Sequence, residues 1–454
     1  MLNPVFDRFA EQSPISVMAR GTMERILNPA QLNEWFENTA QEQYTRELLF
    51  SSVFDIMSQV VCGVHSSVHA AHQASEEKIG VSVTSVYNKL NGIEANTSAE
   101  LVRYAAGEAK PLIEELGGTI EPLLPGFRVK LLDGNCIEAS EHRIKELRTL
   151  AAGALPGKSL VVYDPALRLP IDVFPCEDGH AQERSLLGDV LPTVEMNDLW
   201  VCDRNFCVRS FLFGIALRNG FFAIRQHANL PWTSIGKETF VGRIDGTKVF
   251  EQPILVVDES GNELKCRRIR IRLKKETRDG DKEICIVTNL PKRRVNAKQI
   301  SVLYRKRWKI ETAFQELTEH LNSEINTLGY PPAALFGFCV ALVAYINLSI
   351  IKGALSSVYG AETIEKKVSG YYIADEISGT YRGMMIAIAE EEWIVFRQYT
   401  QAELVKLLKQ LATNVRLSAF RKHPRGPKKP APKRISDPKH PHVSTARLIA
   451  SRRK

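Results

Sequence analysis

Three shortages bound this sequence before any motif is read. Its eight cysteines are scattered and no Cys-x-x-Cys pair occurs, which argues against a disulfide framework and a zinc ribbon and fits a reducing, cytoplasmic compartment. The opening stretch MLNPVFDRFAEQSP lacks the apolar core of a secretory signal. Acid is nearly missing from one region. From Arg421 to Lys454 there are twelve Lys and Arg against one acid, Asp437, in a chain whose net charge is +8. The remaining 420 residues are therefore slightly acidic. The same stretch holds six prolines and few apolar residues. It is expected to stay disordered until it meets a polyanion. Nucleic acid is the natural partner, because each neutralised phosphate releases counterions.

What is present describes a globular chain of more than one folding unit: 454 residues, 44% apolar and 25% charged. AALFGFCVALVAYINLSII, from Ala333 to Ile351, has no formal charge over 19 residues and is long enough to span a bilayer. Pro331 and Pro332 precede it, Asn347 and Ser349 interrupt it, and it has no companion span. It is expected to be a helix buried between two layers, with no membrane involved.

Residues 1–120 read as a helical, DNA-binding domain. IGVSVTSVYNKLNGI (Ile79 to Ile93) resembles the turn and second helix of a helix-turn-helix, with Gly80-Val81-Ser82 as the turn. Thr84, Ser85, Tyr87, Asn88 and Lys89 then face a groove. Cys62, His65, His69 and His72 fall at helical spacing, but small residues surround them and no second ligand cluster exists, so no metal site is expected there.

From Phe127 the pattern changes to α/β. FRVKLLDGNCI, SLVVYD, LPIDVFP, LWVCD and FFAIRQH read as strands; QERSLLGDVLPTV and FCVRSFLFGIALRNG read as helices. Residues 121–227 are the first part of this core, 228–291 a β-rich insertion, 292–352 its second part, 353–420 a helical C-terminal region and 421–454 the basic tail. Within the insertion, RRIRIRLKK sets Arg268, Arg270, Arg272 and Lys274 on one face of a strand, opposite Ile269, Ile271 and Leu273. Asp279-Gly280 then turns the chain back into EICIVTNL. Four cations on one face are expected to touch DNA.

Asn296 and Gln299 form a capping box. In the helix that follows, Leu303, Ile310, Phe314, Leu317 and Leu321 make an apolar stripe, and Tyr304, Arg307, Glu311, Gln315 and Thr318 a polar one beside it. Two further acids stand out. Asp133 lies inside a strand and Asp203 at the end of a buried one, and neither position suits a solvated charge. Asp164, Asp172 and Asp198 each adjoin a proline or a turn signal. Three carboxylates from separate elements suit Mg²⁺, and two such ions can serve an in-line displacement at phosphorus.

Asp, Asp, a β insertion and then Tyr-x2-Arg-x3-Glu resembles the DDE transposases of bacterial insertion sequences, the group with a Tyr-Arg-Glu-Lys signature. LLDGN looks like that family's first-aspartate strand and CDRNF its second; TNLP and LYRKRWKIETAFQEL look like the lead-in and the signature. The resemblance spans roughly residues 60 to 350. It implies an RNase H-like mixed sheet with flanking helices, interrupted by the insertion, in a bacterial, nucleoid-associated protein. It also implies Mg²⁺ dependence with Mn²⁺ as a substitute, binding of double-stranded DNA at element ends and target, and a homodimer in the synaptic complex. Asp133, Asp203 and Glu311 become the catalytic, metal-binding triad, and Tyr304 and Arg307 phosphate contacts. The signature lysine is Thr318 here, which removes a charge from the end-binding face. Two rivals stay open: an RNase H-like nuclease that cuts without joining, and a catalytically weak or inactive transposase-derived DNA-binding regulator.

Overall fold

The computed structural model describes residues 4–452 except Tyr44, Arg46, Ala139, Ala151, Arg278, Asp279 and residues 424–441. Strands β1 (Arg128–Cys136), β2 (Lys158–Asp164), β3 (Leu169–Cys176), β4 (Asp198–Cys202) and β5 (Phe221–Arg225) form in order where apolar runs end in turn residues. They lie in the order β3-β2-β1-β4-β5. The first three pair antiparallel, whereas β1, β4 and β5 run parallel. The result is a mixed sheet with an apolar core and helices on each face.

Strand parity sorts the sheet into two interiors. Val129, Leu131, Leu199 and Val201 join the larger apolar core, which continues into the helices before residue 117 and after 296. Leu132, Trp200 and Cys202 join a smaller core under helix Arg209–Leu217. The segment read as one helix from Gln182 is broken into short turns, with Pro192 inside Leu191–Thr193.

The insertion continues the sheet. Its strands β6 (Thr239–Ile244), β7 (Thr247–Val257) and β8 (Glu263–Arg272) reach the core through β9 (Glu283–Thr288), which pairs antiparallel with β5. The β8–β9 connection is longer than a two-residue turn, since Arg272 pairs with Glu283; Asp279 lies outside the described residues.

The uncharged run is the heart of helix Pro331–Tyr359, long and apolar enough to cross a membrane, with 94% of its apolar window buried within the fold. Helix Ala95–Leu116, sheet strand β3 and helices from both ends of the chain cover it. Asn347 Nδ2 donates to Ala19 O at 2.9 Å and Ser349 Oγ to Arg168 O at 2.8 Å, so both side chains bond inside the fold, although Asn347 Oδ1 has no partner among the described residues. Gly118 is needed for close approach to this helix: a Cβ there would come within 2.6 Å of the Gly353 Cα.

The two ends of the chain share this core. Phe6 packs on Trp393 with ring centroids 5.1 Å apart, Arg397 binds Glu24, and Arg25 Nε donates to Tyr399 O at 2.9 Å. The expected turn is present at Gly80, whose φ is +68°, and Ser82 caps helix Val83–Asn91. His72 is buried, with Nε2 2.7 Å from Val81 O, which ties that turn to the preceding helix.

The expectation of a wholly disordered tail is corrected for its last part. His442–Ser444 forms a strand parallel to Gly153–Leu155, and Thr445–Arg452 a helix. Val443, Leu448 and Ile449 cover Ile144, Leu147 and Ala154, and Arg447 binds Asp178 at 2.7 Å. The six prolines all precede this segment, and small apolar side chains follow them. Residues 424–441, which carry all six of the tail's prolines and half of its twelve cations, lie outside the described residues.

Candidate active site

Asp133 and Asp203 end up level by strand register. Leu132 pairs with Cys202 across the parallel β1–β4 ladder, so the next residue on each strand is an aspartate. Asp203 keeps an extended backbone (φ −79°, ψ 175°), which carries the alternation past the strand end. Both carboxylates therefore continue the face of Leu131 and Val201, toward the larger core.

Glu311 arrives from above that face. The helix expected from Asn296 is two helices, Ala297–Arg305 and Trp308–His320, with a turn at Lys306-Arg307. The capping box of Asn296 and Gln299 is formed. Leu303, Ile310, Leu317 and Leu321 are buried, as the stripe implies, while Phe314 is half-buried.

Arg307 occupies the centre. Nη1 donates to Asp133 Oδ2 at 2.8 Å and Nη2 to Glu311 Oε1 at 2.5 Å. Tyr304 is buried and its hydroxyl donates to Asp203 Oδ1 at 3.4 Å. Burial pushes the Asp133 carboxyl up to about 6; Arg307 opposes this, and the charges of Glu311 and Asp203 add to it. Burial works against the Arg307 charge, but Asp133, Tyr304, Glu311 and Asp203 together hold its pKa above the ordinary value. Burial pushes the Tyr304 phenol up. Asp133 thus senses the other two acids, and one guanidinium senses all three.

The donor chemistry, oxygen atoms from three carboxylates, fits a hard divalent cation. In this arrangement the positive charge between Asp133 and Glu311 is Arg307 itself. Among the described residues no three acidic, His or Cys side chains form a ready cluster. Cation binding at these carboxylates therefore requires the guanidinium to turn away.

The other basic residues of the signature are dispersed. Arg305 binds Asp245 at 2.9 Å and Lys309 binds Glu365 at 3.1 Å, while Trp308 is exposed. Thr318 is exposed, its hydroxyl bonded to Phe314 O at 3.0 Å within its own helix.

The ribbon is less cationic than its strand implies. Arg270 lies between Glu238 and Glu283, the latter at 2.7 Å, and over the Phe250 ring at 4.3 Å. Arg268 Nε donates to Gln226 Oε1 at 2.7 Å, and its guanidinium covers Trp232 at 5.2 Å. The acids come from neighbouring segments, so one strand read alone could not show them. Arg272 and Lys274 remain exposed.

Sequence reasoning missed a cleft of about 600 Å³ at the same carboxyl edge of the sheet, on its other face, with Arg184 and Arg204 on its walls. The available signal was the position of Arg204, immediately after Asp203.

Residues 126–346 match the family model of the transposase DDE domain. This span begins just before β1, ends inside the long helix, and encloses all three carboxylates. The chain is also 27% identical over 196 residues to a protein of Sinorhizobium fredii (strain NBRC 101917 / NGR234) provisionally named transposase y4zB. That likeness covers 42% of this chain and about half, 52%, of the relative. Both likenesses are to transposases, and the family match spans the mixed sheet.

Proposed function

We propose that the chain is a DNA transposase of the Tyr-Arg-Glu-Lys group. It binds the terminal inverted repeats of its own element as a homodimer, cuts the DNA there, and joins the freed end to a target. The observation that carries this reading is the level placement of Asp133 and Asp203 on adjacent parallel strands, with Glu311 facing them across Arg307. In cleavage, a water oxygen bonds to phosphorus as the 3′ bridging oxygen leaves. In joining, that 3′-hydroxyl attacks a target phosphorus, and one phosphodiester forms for each one broken.

Asp133, Asp203 and Glu311 would hold Mg²⁺, or Mn²⁺ in its place. Bound there, the metal supplies an activated water and neutralises charge on phosphate. The chain's own groups orient the DNA. In this reading Arg307 and Tyr304 grip a phosphate beside the carboxylates, and the exposed Arg272 and Lys274 offer the ribbon's charge, Arg272 at 4.0 Å from Glu283. A DNA-binding regulator without chemistry is favoured by Thr318, which leaves the end-binding face without its lysine.

The test uses short duplexes taken from the DNA flanking the coding sequence. Asp133→Asn removes a charged metal ligand at nearly constant shape. Changes one shell further out already lower metal affinity or activity by ~10–100-fold, so cleavage should fall at least that far while duplex binding persists. Parallel loss of binding and cleavage would give Asp133 a structural role instead. Pre-cut ends that bind but never join to a target would leave the nuclease reading, and intact wild-type substrate under Mg²⁺ or Mn²⁺ the regulator.

A further inference from the structure

The cleft opposite the carboxylates is built from segments that follow β4, β5 and β7. Arg204 and Asn205 come directly after Asp203; Arg209, Ser210 and Phe213 from the next helix; His227, Asn229, Leu230 and Pro231 from the turn after β5; and Arg184 reaches in from the broken helix. Carboxyl ends of parallel strands are where open α/β sheets take ligands.

The cleft's chemistry is divided. Phe213, Leu230, Pro231 and Val208 give it an apolar floor. Arg184 and Arg204 are exposed, and their side chains have no hydrogen-bond or salt-bridge partner among the described residues. Asp281 lies within electrostatic reach of Arg204 but is bonded to Arg225 at 2.6 Å. The acids on the rim are engaged: Asp258 accepts from Ser260 N and Asn262 N in its own turn, and Glu259 binds Arg209 at 2.9 Å. Unpaired cations over an apolar floor are the elements of single-strand recognition, in which phosphates meet charge and bases or sugars meet apolar surface. A DNA duplex is too wide to enter such a space, whereas one strand fits.

We propose that this cleft is a binding site for single-stranded DNA, with Arg184 and Arg204 holding its phosphates. It rests on the transposase reading and deepens it. One strand lies at the Asp133–Asp203 face for cutting, and the opposite strand, once separated, crosses the sheet edge at Arg204 into the cleft.

The experiment compares the full chain with the Arg184→Ala/Arg204→Ala and Arg184→Lys/Arg204→Lys double variants. Binding of a labelled dT oligomer and of a blunt random duplex is followed by anisotropy at two salt concentrations. The alanine pair should lose roughly tenfold or more in dT affinity, the scale of charge-assisted contacts. Its salt dependence should flatten, its duplex affinity should change less than threefold, and the lysine pair should recover most of the dT binding. Both side chains are exposed, so unchanged thermal unfolding marks an intact fold. Equal loss on both DNAs, no loss on dT, or tighter binding of polyglutamate than of dT overturns the cleft assignment. Asp133-dependent cleavage of element ends reports on the transposase reading separately. Cleavage without selective dT loss sinks only the cleft, and selective dT loss without any cleavage sinks only the transposase.

Discussion

Arg307 gives one arm to Asp133 and the other to Glu311, and it is buried. Removing one partner of a buried ion pair leaves the others uncompensated, at a cost of ~3–5 kcal/mol. Arg307→Ala should therefore lower the unfolding midpoint in chelator by several degrees. A divalent ion fills the gap better in the variant than in the wild type, so added Mn²⁺ should raise the midpoint more in Arg307→Ala. Equal shifts would mean that the guanidinium and the cation do not compete for the same carboxylates. Thr318 poses the opposite case. It is exposed and its hydroxyl is turned onto its own helix, so a longer side chain displaces nothing. Thr318→Lys should tighten binding of element ends by ~1 kcal/mol at low salt, and the gain should shrink as salt rises. No gain at low salt would show that this helix face does not meet the DNA end.

Among the elements, helix Gly370–Ala387 carries an acid with a pH signature. Glu376 sits at the amino end of helix Pro14–Ile26. Burial pushes its carboxyl up to about 7, against the pull of the Ser16 and Ile15 amides. One of its oxygens is buried without a hydrogen-bond partner. The folded-state pKa is raised, so the folded chain binds this proton more tightly than the unfolded chain. The stabilisation is complete below the ordinary value of 4.5 and is lost as pH rises through about 7. Glu376→Gln should then flatten the decline of the unfolding midpoint between pH 5 and 8; an unaltered slope would exclude this carboxyl as its source. Elements also mark how far the sequence could be read. Asp133 and Asp203 were legible because period-2 alternation and strand ends are local properties, and the five core strands followed from the same pattern. Three features were not. Pairing of Arg268 and Arg270 with Glu238 and Glu283 depends on which segments become neighbours. The break at Lys306-Arg307 lets Arg307 fold inward, although nothing in its residue types forbids a continuous helix. The docking of Val443, Leu448 and Ile449 depends on a patch at Ile144 and Ala154, some 300 residues earlier.

At the scale of the molecule, the tail divides into a docked end and the basic stretch before it. Lys428, Lys429, Lys433 and Arg434 lie in that stretch. Replacing these four with alanine should weaken specific and random duplexes alike, and flatten the salt dependence of log K by up to ~0.9 for each phosphate no longer neutralised. A weakening confined to element ends would assign them a role in sequence recognition. The union of the chain's two ends has a consequence during translation. Phe6 waits for Trp393, and Glu24 for Arg397. A ribosome adding ~5–20 residues per second needs roughly 20–80 s to cover that distance. For that interval the amino-terminal helices have been made but their apolar faces lack the partners that cover them. A chain released early by a premature stop keeps those faces bare for its whole lifetime, which makes truncated products of this gene preferred clients of chaperones and proteases.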